Sequence, residues 1–115
     1  MPVEERKVLQ VQAMCQVAKG CAKVVAAQKQ TTPKAIDDHV FEYEKETYQK
    51  RKLRAIQIAK SIEDQFYFET ALQSIIDLCI AANEMDDADK LFRMISVDVI
   101  RDELLRSHPQ LRRAS

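Results

Sequence analysis

Apolar side chains recur every three or four residues along most of this chain, which is the period of an α-helix with one buried face. The first such helix is predicted from about Glu4 to Gln28. Because it carries two neighbouring apolar stripes, we expect contacts on more than one side of it. Gly20 lies within this helix, where either close packing or a mild kink would account for a glycine. The main stripe consists of Val8, Val11, Cys15, Ala18, Ala22 and Val25, and the second stripe of Leu9, Val17, Cys21 and Val24.

A second helix is predicted from Pro33 to about Ile62. Thr32 can cap its start, and proline is favoured at the first helical position because its missing N–H would be unpaired there anyway. The apolar stripe thins between Glu44 and Lys52. The middle of this helix is therefore either broken, exposed to solvent or in contact with a partner.

Three shorter helices are predicted in the rest of the chain, from Phe66 to Ala82, from Asp86 to Ile95 and from Asp98 to Ser107. Asn83 is assigned to the turn before the second of these, because asparagine tolerates the left-handed backbone conformation. Residues 109–115 are predicted to be a frayed tail.

Composition supports an all-α fold. The single glycine and three prolines are too few for the tight turns of an all-β sandwich or barrel, and for a phosphate-binding glycine loop. With 31% charged and 46% apolar residues, the chain has neither a disordered nor a membrane-protein composition. A length of 115 residues corresponds to one domain. We therefore expect a single all-α domain that forms an antiparallel helical array.

Charge and targeting signals indicate a cytoplasmic protein that binds neither nucleic acid nor membrane. The 18 basic and 18 acidic residues cancel, so no basic excess favours a nucleic-acid partner. The N-terminal sequence MPVEERKVLQ is charged and lacks the apolar stretch of a signal peptide. No apolar run approaches the roughly 20 residues of a membrane span. The three cysteines form no Cys-x-x-Cys pair and are expected to be reduced and mostly buried.

The second half of the chain repeats itself at an offset of 33 residues. A period of 33 to 34 residues is typical of stacked helix–turn–helix repeats. The recurring residues are Ala55, Ile62, Leu72 and Ser74, which reappear as Ala88, Ile95, Leu105 and Ser107.

The segment ALQSIIDLCIAANEMDDADKLFRMI resembles a tetratricopeptide-like (TPR-like) repeat. Leu72 and Ile75 match the early apolar positions of that family, and Asn83 stands at its turn glycine. Ala88 matches the small residue at which the two helices of a repeat cross. Ile76 departs from the pattern, because it occupies a position where the family has a small residue.

The resemblance covers about residues 51–108, whereas residues 1–50 match poorly and are expected to form a divergent helical hairpin. It implies an adaptor or small chaperone that binds a helical or extended segment of another protein or peptide in an apolar groove. The alternative from the sequence is a structural homo-oligomer, such as a homodimer, in which the long helices pair with their copies across a two-fold axis.

No catalytic, cofactor or metal site is predicted. His39 and Glu42 have the order His-x-x-Glu in a single copy, whereas di-iron bundles use two Glu-x-x-His motifs. Asp86, Asp87 and Asp89 lack the spacing and glycine of a calcium-binding EF-hand loop. The cysteines fall on apolar stripes, where thiols are unreactive. The chain is therefore not expected to be an enzyme.

Two clusters are candidates for contact with a partner. Three consecutive aromatic residues cannot all face one core, so at least one is expected at the surface or at an interface. The basic run from Lys50 to Arg54 is either a solvated face paired with the preceding glutamates or a contact for an acidic peptide or nucleic acid. The candidate partner-binding residues are Phe66, Tyr67, Phe68, Tyr48, Arg51 and Arg54.

Overall fold

A computed structural model describes residues 2–30 and 38–114 of the chain, and throughout these ranges the only regular elements are helices. The all-α fold class is therefore confirmed. The elements are α1 (Val3–Gln30), α2 (Asp38–Lys60), α3 (Gln65–Ala81), α4 (Met85–Phe92), α5 (Asp98–Ser107) and a C-terminal 3-10 helix (Pro109–Ala114).

The observed helix bounds agree closely with the periodic pattern. α5 has the predicted bounds, and α1 and α3 differ from theirs by at most two residues at either end. The predicted start of α2 at Pro33, with Thr32 as its cap, lies outside the described residues. From Asp38 to Lys60 α2 is continuous, so the thinning of its apolar stripe does not mark a break.

α1 packs against both α2 and α3. All six residues of its main stripe are buried, as predicted, and the alanines among them let neighbouring helices approach closely. In the second stripe, Leu9 and Val17 are exposed, whereas Cys21 packs partly buried against the core. A Cβ atom added to Gly20 would meet no other atom within 4 Å. The close packing considered for Gly20 therefore does not occur within the described chain.

The start of α1 is tied to the loop between α2 and α3. The Glu4 carboxylate accepts hydrogen bonds from the backbone N–H groups of Glu63 (3.0 Å) and Asp64 (2.9 Å). Asp64 is in turn the N-cap of α3, where its side chain accepts a hydrogen bond from the backbone N–H of Tyr67 at 3.0 Å. These bonds occupy loop and helix donors that would otherwise lack a protein partner, and they fix the end of α1 beside the start of α3.

The turn between α3 and α4 has the predicted left-handed conformation, with φ of 59° at Asn83. Across this turn the backbone N–H of Glu84 donates to the carbonyl oxygen of Cys79 at 2.8 Å, which is the long hydrogen bond of a Schellman cap. Beyond it, Ala88 of α4 is completely buried. The turn thus returns the chain so that α4 packs on α3.

α4 ends at Phe92, earlier than the predicted end at Ile95. The chain tightens there, because the backbone N–H of Ile95 donates to the carbonyl oxygen of Phe92 at 3.0 Å. The next two backbone N–H groups, of Ser96 and Val97, donate to the carboxylate of Glu69 on α3 rather than continuing the helix.

Glu69 is the only charged residue in the described chain that is fully buried. Its carboxylate accepts hydrogen bonds from Ser96 N (2.7 Å), Ser96 Oγ (2.6 Å) and Val97 N (2.8 Å), and also from the Gln65 side chain. Burial alone would raise the pKa of Glu69, but the hydrogen bonds outweigh it and hold the pKa below its ordinary value. Val97, the N-cap of α5, has no capping side chain of its own, so Glu69 caps α5 from another helix.

The C-terminal residues do not fray as predicted, within the range that the structure describes. The 3-10 helix Pro109–Ala114 packs against α4 and α5, and Leu111 within it is completely buried. His108 Nε2 also lies 2.7 Å from Asp77 Oδ1, which links the end of α5 to α3. Burial of one leucine side chain stabilises the fold by about 1.5–3 kcal/mol, which favours an ordered end.

We expect Glu69→Ala to lower the free energy of unfolding by about 2–3 kcal/mol, because Ser96 and Val97 lose the charged acceptor of their partly buried hydrogen bonds. Glu69→Gln keeps one carbonyl oxygen and should cost less, about 1–2 kcal/mol. Urea denaturation followed by circular dichroism measures both values. Glu103→Ala is the matched control, since Glu103 is exposed on α5. A Glu69→Ala variant as stable as this control would contradict the capping role.

Candidate functional site

Tyr48 belongs to the interior of the chain, which corrects its prediction as a partner-binding residue. Its side chain is fully buried, and its hydroxyl donates a hydrogen bond to the Glu84 carboxylate. Lys52 Nζ donates to Glu84 Oε1 at 2.9 Å and to Asp87 Oδ2 at 2.8 Å. These four residues, which we call the polar cluster, join α2 to the start of α4. The cluster explains the thinned stripe of α2, because polar groups rather than apolar ones make this contact.

The polar cluster keeps its proton donors protonated at neutral pH. Burial, followed by the hydrogen bond to Glu84, raises the pKa of Tyr48 far above its ordinary value. Burial would lower the pKa of Lys52, but its hydrogen bonds to Asp87 and Glu84 reverse this and raise it. Tyr48 is therefore a neutral donor and Lys52 a cation, each occupied by carboxylate partners. The arrangement fits a structural link between helices.

The three cysteines are free thiols. Burial raises the pKa of Cys15 to about 12 and that of Cys79 to about 11. Partial burial, together with a hydrogen bond to Glu44, raises the pKa of Cys21 to about 11. Because the thiolate is the nucleophilic form, these side chains are poor nucleophiles at neutral pH.

Among the described residues, no three His, Cys, Asp or Glu side chains lie close enough together to hold a metal ion. No helix in the same ranges is both long and apolar enough to cross a membrane.

The aromatic run at the start of α3 divides between core and surface. Tyr67 and Phe68 pack partly buried against the core, whereas Phe66 is 52% exposed. The expectation that at least one of the three faces outward is therefore confirmed. Phe66 also contacts Tyr67 edge-on, with ring centroids 6.0 Å apart, so part of its surface is used within the chain.

A groove open to solvent lies between α1 and α2. The start of α1 lies beside the end of α2, as shown by the hydrogen bond from Lys7 Nζ to the carbonyl oxygen of Ser61 at 3.1 Å. From this end the two helices run side by side and leave a shallow channel, which we call the α1–α2 groove. It is lined by Gln10, Ala13 and Met14 of α1 and by Arg54 and Ile58 of α2.

Beyond the α1–α2 groove, further exposed apolar residues lie on the same faces of both helices. Val17, which is 57% exposed, lies one helical turn beyond Ala13 on the same face of α1. Tyr43, which is 68% exposed, lies three turns before Arg54 on the same face of α2. Val40, about one turn further, is also exposed. From Val40 to Arg54 the face is about 21 Å long, at 1.5 Å per residue, which matches a helix of four turns.

Of the basic run, only Arg54 lines the groove. Lys50 forms an exposed ion pair with Glu46 at 3.2 Å, as the sequence suggested for this run, and Lys52 belongs to the polar cluster. Arg51 is partly buried, and its charge acts on Cys21 of α1. The four basic residues of the run therefore lie in four different environments and do not form one solvated face.

The six candidate partner-binding residues do not assemble into one site. Tyr48 lies in the core, Phe66 to Phe68 lie at the start of α3, and Arg54 lies in the α1–α2 groove. No residue of α1 was among these six candidates, although Ala13 and Met14 line the groove. The second stripe on α1 was the available signal, because its exposed member Val17 lies one helical turn beyond Ala13.

No protein-family model matches the sequence, and comparisons with curated proteins and with solved structures give no match. The TPR-like resemblance therefore rests on the residues of this chain alone. Any function has to be argued from the geometry of the α1–α2 groove and the groups around it.

We expect Tyr48→Phe to lower the free energy of unfolding by about 1–3 kcal/mol, because a buried hydrogen bond to a charged acceptor is lost. Tyr43→Phe is the matched control on the same helix, where an exposed hydroxyl contributes within about 0.5 kcal/mol. Thermal and urea unfolding of both variants measure the difference. Equal stability of the two variants would mean that the polar cluster does not hold α2 against α4.

Proposed function

We propose that the protein is a non-catalytic protein–protein interaction module, an adaptor or small chaperone, that binds a helical or extended segment of a partner protein in the α1–α2 groove. The observation that carries this proposal is the apolar, solvent-exposed face along α1 and α2. The chain already has a complete core on the other side of α1. Burying the exposed face against a partner would release about 25 cal/mol for each Å² of apolar surface.

The residue types on this face suit recognition of a helix. Ala13 and Val17 are small enough for a third helix to approach the pair closely. Tyr43 and Arg54 belong to the residue types that contribute most binding free energy at protein interfaces. An amphipathic helix laid along the groove would place its apolar side chains between these residues, as in other helix-in-groove complexes.

We also propose that the helices form an antiparallel array in which α3 and α4 pair as in a TPR-like repeat. The left-handed Asn83 turn and the buried Ala88 support that pairing. The position of the α1 start beside the end of α2 supports an antiparallel hairpin. In repeat proteins a face without a neighbouring repeat needs a cap or a partner. A docking role for the hairpin of α1 and α2 agrees with this. We place this function in the cytoplasm, where free thiols stay reduced.

A pull-down with groove variants tests the proposed function. We expect a partner protein to co-purify with wild type in stoichiometric amount and to be reduced at least about tenfold with Ala13→Glu, because the added carboxylate would be desolvated in the interface. Val99→Glu is the matched control, since Val99 is 71% exposed on α5. Binding of the purified partner to all three proteins, measured by calorimetry, completes the test. A partner set unchanged by Ala13→Glu would refute the proposal.

The structural homo-oligomer remains the second candidate, and Gly20 favours it. A glycine inside a helix costs about 0.5–1 kcal/mol relative to alanine. No close neighbour in the described chain accounts for this cost at Gly20, because a Cβ atom there would lie in open space. Ala13, Val17, Gly20 and Val24 follow one another at helical spacing. Two copies of α1 could pair along these small residues across a two-fold axis.

The variant Gly20→Ala distinguishes the interaction module from the structural homo-oligomer. For the interaction module we expect a monomer by light scattering, and Gly20→Ala should raise the free energy of unfolding by about 0.5–1 kcal/mol with no dependence on protein concentration. The described glycine has no positive φ, so alanine fits its backbone. A wild-type dimer that Gly20→Ala weakens would instead establish the homo-oligomer.

A further inference from the structure

The α1–α2 groove contains one charged side chain. Arg54 stands among the apolar side chains of Ala13, Met14 and Ile58 and the neutral amide of Gln10, and no carboxylate lines this groove. Arg54 is exposed, and no ion pair to it occurs within residues 2–30 and 38–114. Its guanidinium group therefore has its donors available to a ligand.

Four acidic residues of α2 and of the start of α4 have other partners. Glu46 pairs with Lys50, and Glu84 and Asp87 both pair with Lys52. Glu44 contacts Cys21 of α1 on the side of α2 that packs against α1. In the sequence from Tyr48 to Lys60 there are five basic residues and no acidic one. The groove therefore has a positive charge that the chain itself does not neutralise.

We propose that the occupant of the α1–α2 groove is an amphipathic helix of a partner protein that presents an Asp or Glu carboxylate to Arg54, an inference that rests on the proposed function. A guanidinium group binds a carboxylate through two parallel hydrogen bonds, which defines both the register and the orientation of the incoming helix. The apolar residues of the same helix lie against Ala13, Met14 and Ile58.

The chemistry of the groove favours this occupant over a nucleic acid. A phosphate backbone requires several cations in series, and single-stranded bases require aromatic platforms. The groove has one arginine in its lining, and the chain as a whole has no net charge. A single carboxylate set beside an apolar stripe is the ligand that matches one guanidinium group between apolar walls.

A displayed library of amphipathic helices tests the proposal. Each member has about 18 residues, apolar residues at helical spacing along one face, and randomised positions beside that face. The library is selected against wild type, Arg54→Gln, Ala13→Glu and the control Arg106→Gln, whose side chain is exposed on α5. We expect Asp or Glu to be enriched at a flanking position with wild type and Arg106→Gln, and not with Arg54→Gln.

Fluorescence anisotropy of one enriched peptide then measures how much the carboxylate contributes to binding affinity. Replacing its selected Glu with Gln should weaken binding to wild type about three- to tenfold and leave binding to Arg54→Gln unchanged, since an exposed ion pair contributes modestly. Arg54→Glu should reverse the preference, so that a Lys peptide binds better than the Glu peptide.

The possible failures are distinguishable. Helices that bind wild type and not Ala13→Glu, but without any preference for Asp or Glu, would overturn this inference and leave the proposed function intact. Selection that yields no binder sensitive to Ala13→Glu would overturn both. A wild-type dimer that Ala13→Glu dissociates would also overturn it, because the occupant would then be a second copy of this chain.

Discussion

The fold depends on the buried stripe of α1. Val8, Val11, Cys15, Ala18, Ala22 and Val25 all lie inside, and through them α1 packs against both α2 and α3. Small residues on this stripe bring three helix axes close together, which is how a short chain buries enough apolar surface to fold. Because both contacts use this one stripe, residues on the opposite side of α1 stay exposed to solvent. The packing that stabilises the protein therefore also creates the exposed face of the groove.

Buried polar groups then fix how the shorter helices sit on this frame. Glu69 caps α5 from within α3, and Lys52 and Tyr48 hold the start of α4 against α2. Each carboxylate in these links accepts hydrogen bonds, so its burial is compensated. Such links are specific, since an apolar contact tolerates sliding whereas a carboxylate with several directed donors does not. The most polar interior groups of the described chain thus link its helices to one another.

The α1–α2 groove combines features that neither helix has alone. α1 supplies the small and flexible apolar side chains of Ala13 and Met14, and α2 supplies Ile58 and the guanidinium group of Arg54. Their meeting depends on the register between the helices, which the bonds of Glu4 and Lys7 to the loop after α2 help to fix. A shift of one helical turn, about 5.4 Å, would separate Arg54 from Ala13. The make-up of the groove therefore depends on the register between α1 and α2.

The sequence by itself determined the helices, the left-handed turn at Asn83 and the burial of the main stripe of α1, because these follow from a local period of 3.6 residues and from backbone preferences of single residues. It also indicated that at least one of Phe66, Tyr67 and Phe68 is exposed, since three consecutive side chains cannot share one helix face. Only the tertiary structure decided that Tyr48 and Glu69 lie inside, that Leu111 is buried and that Arg54 lines a groove with α1. These outcomes depend on which residues meet when helices far apart in the chain pack together. Helical periodicity carries no information about how one helix is aligned along another.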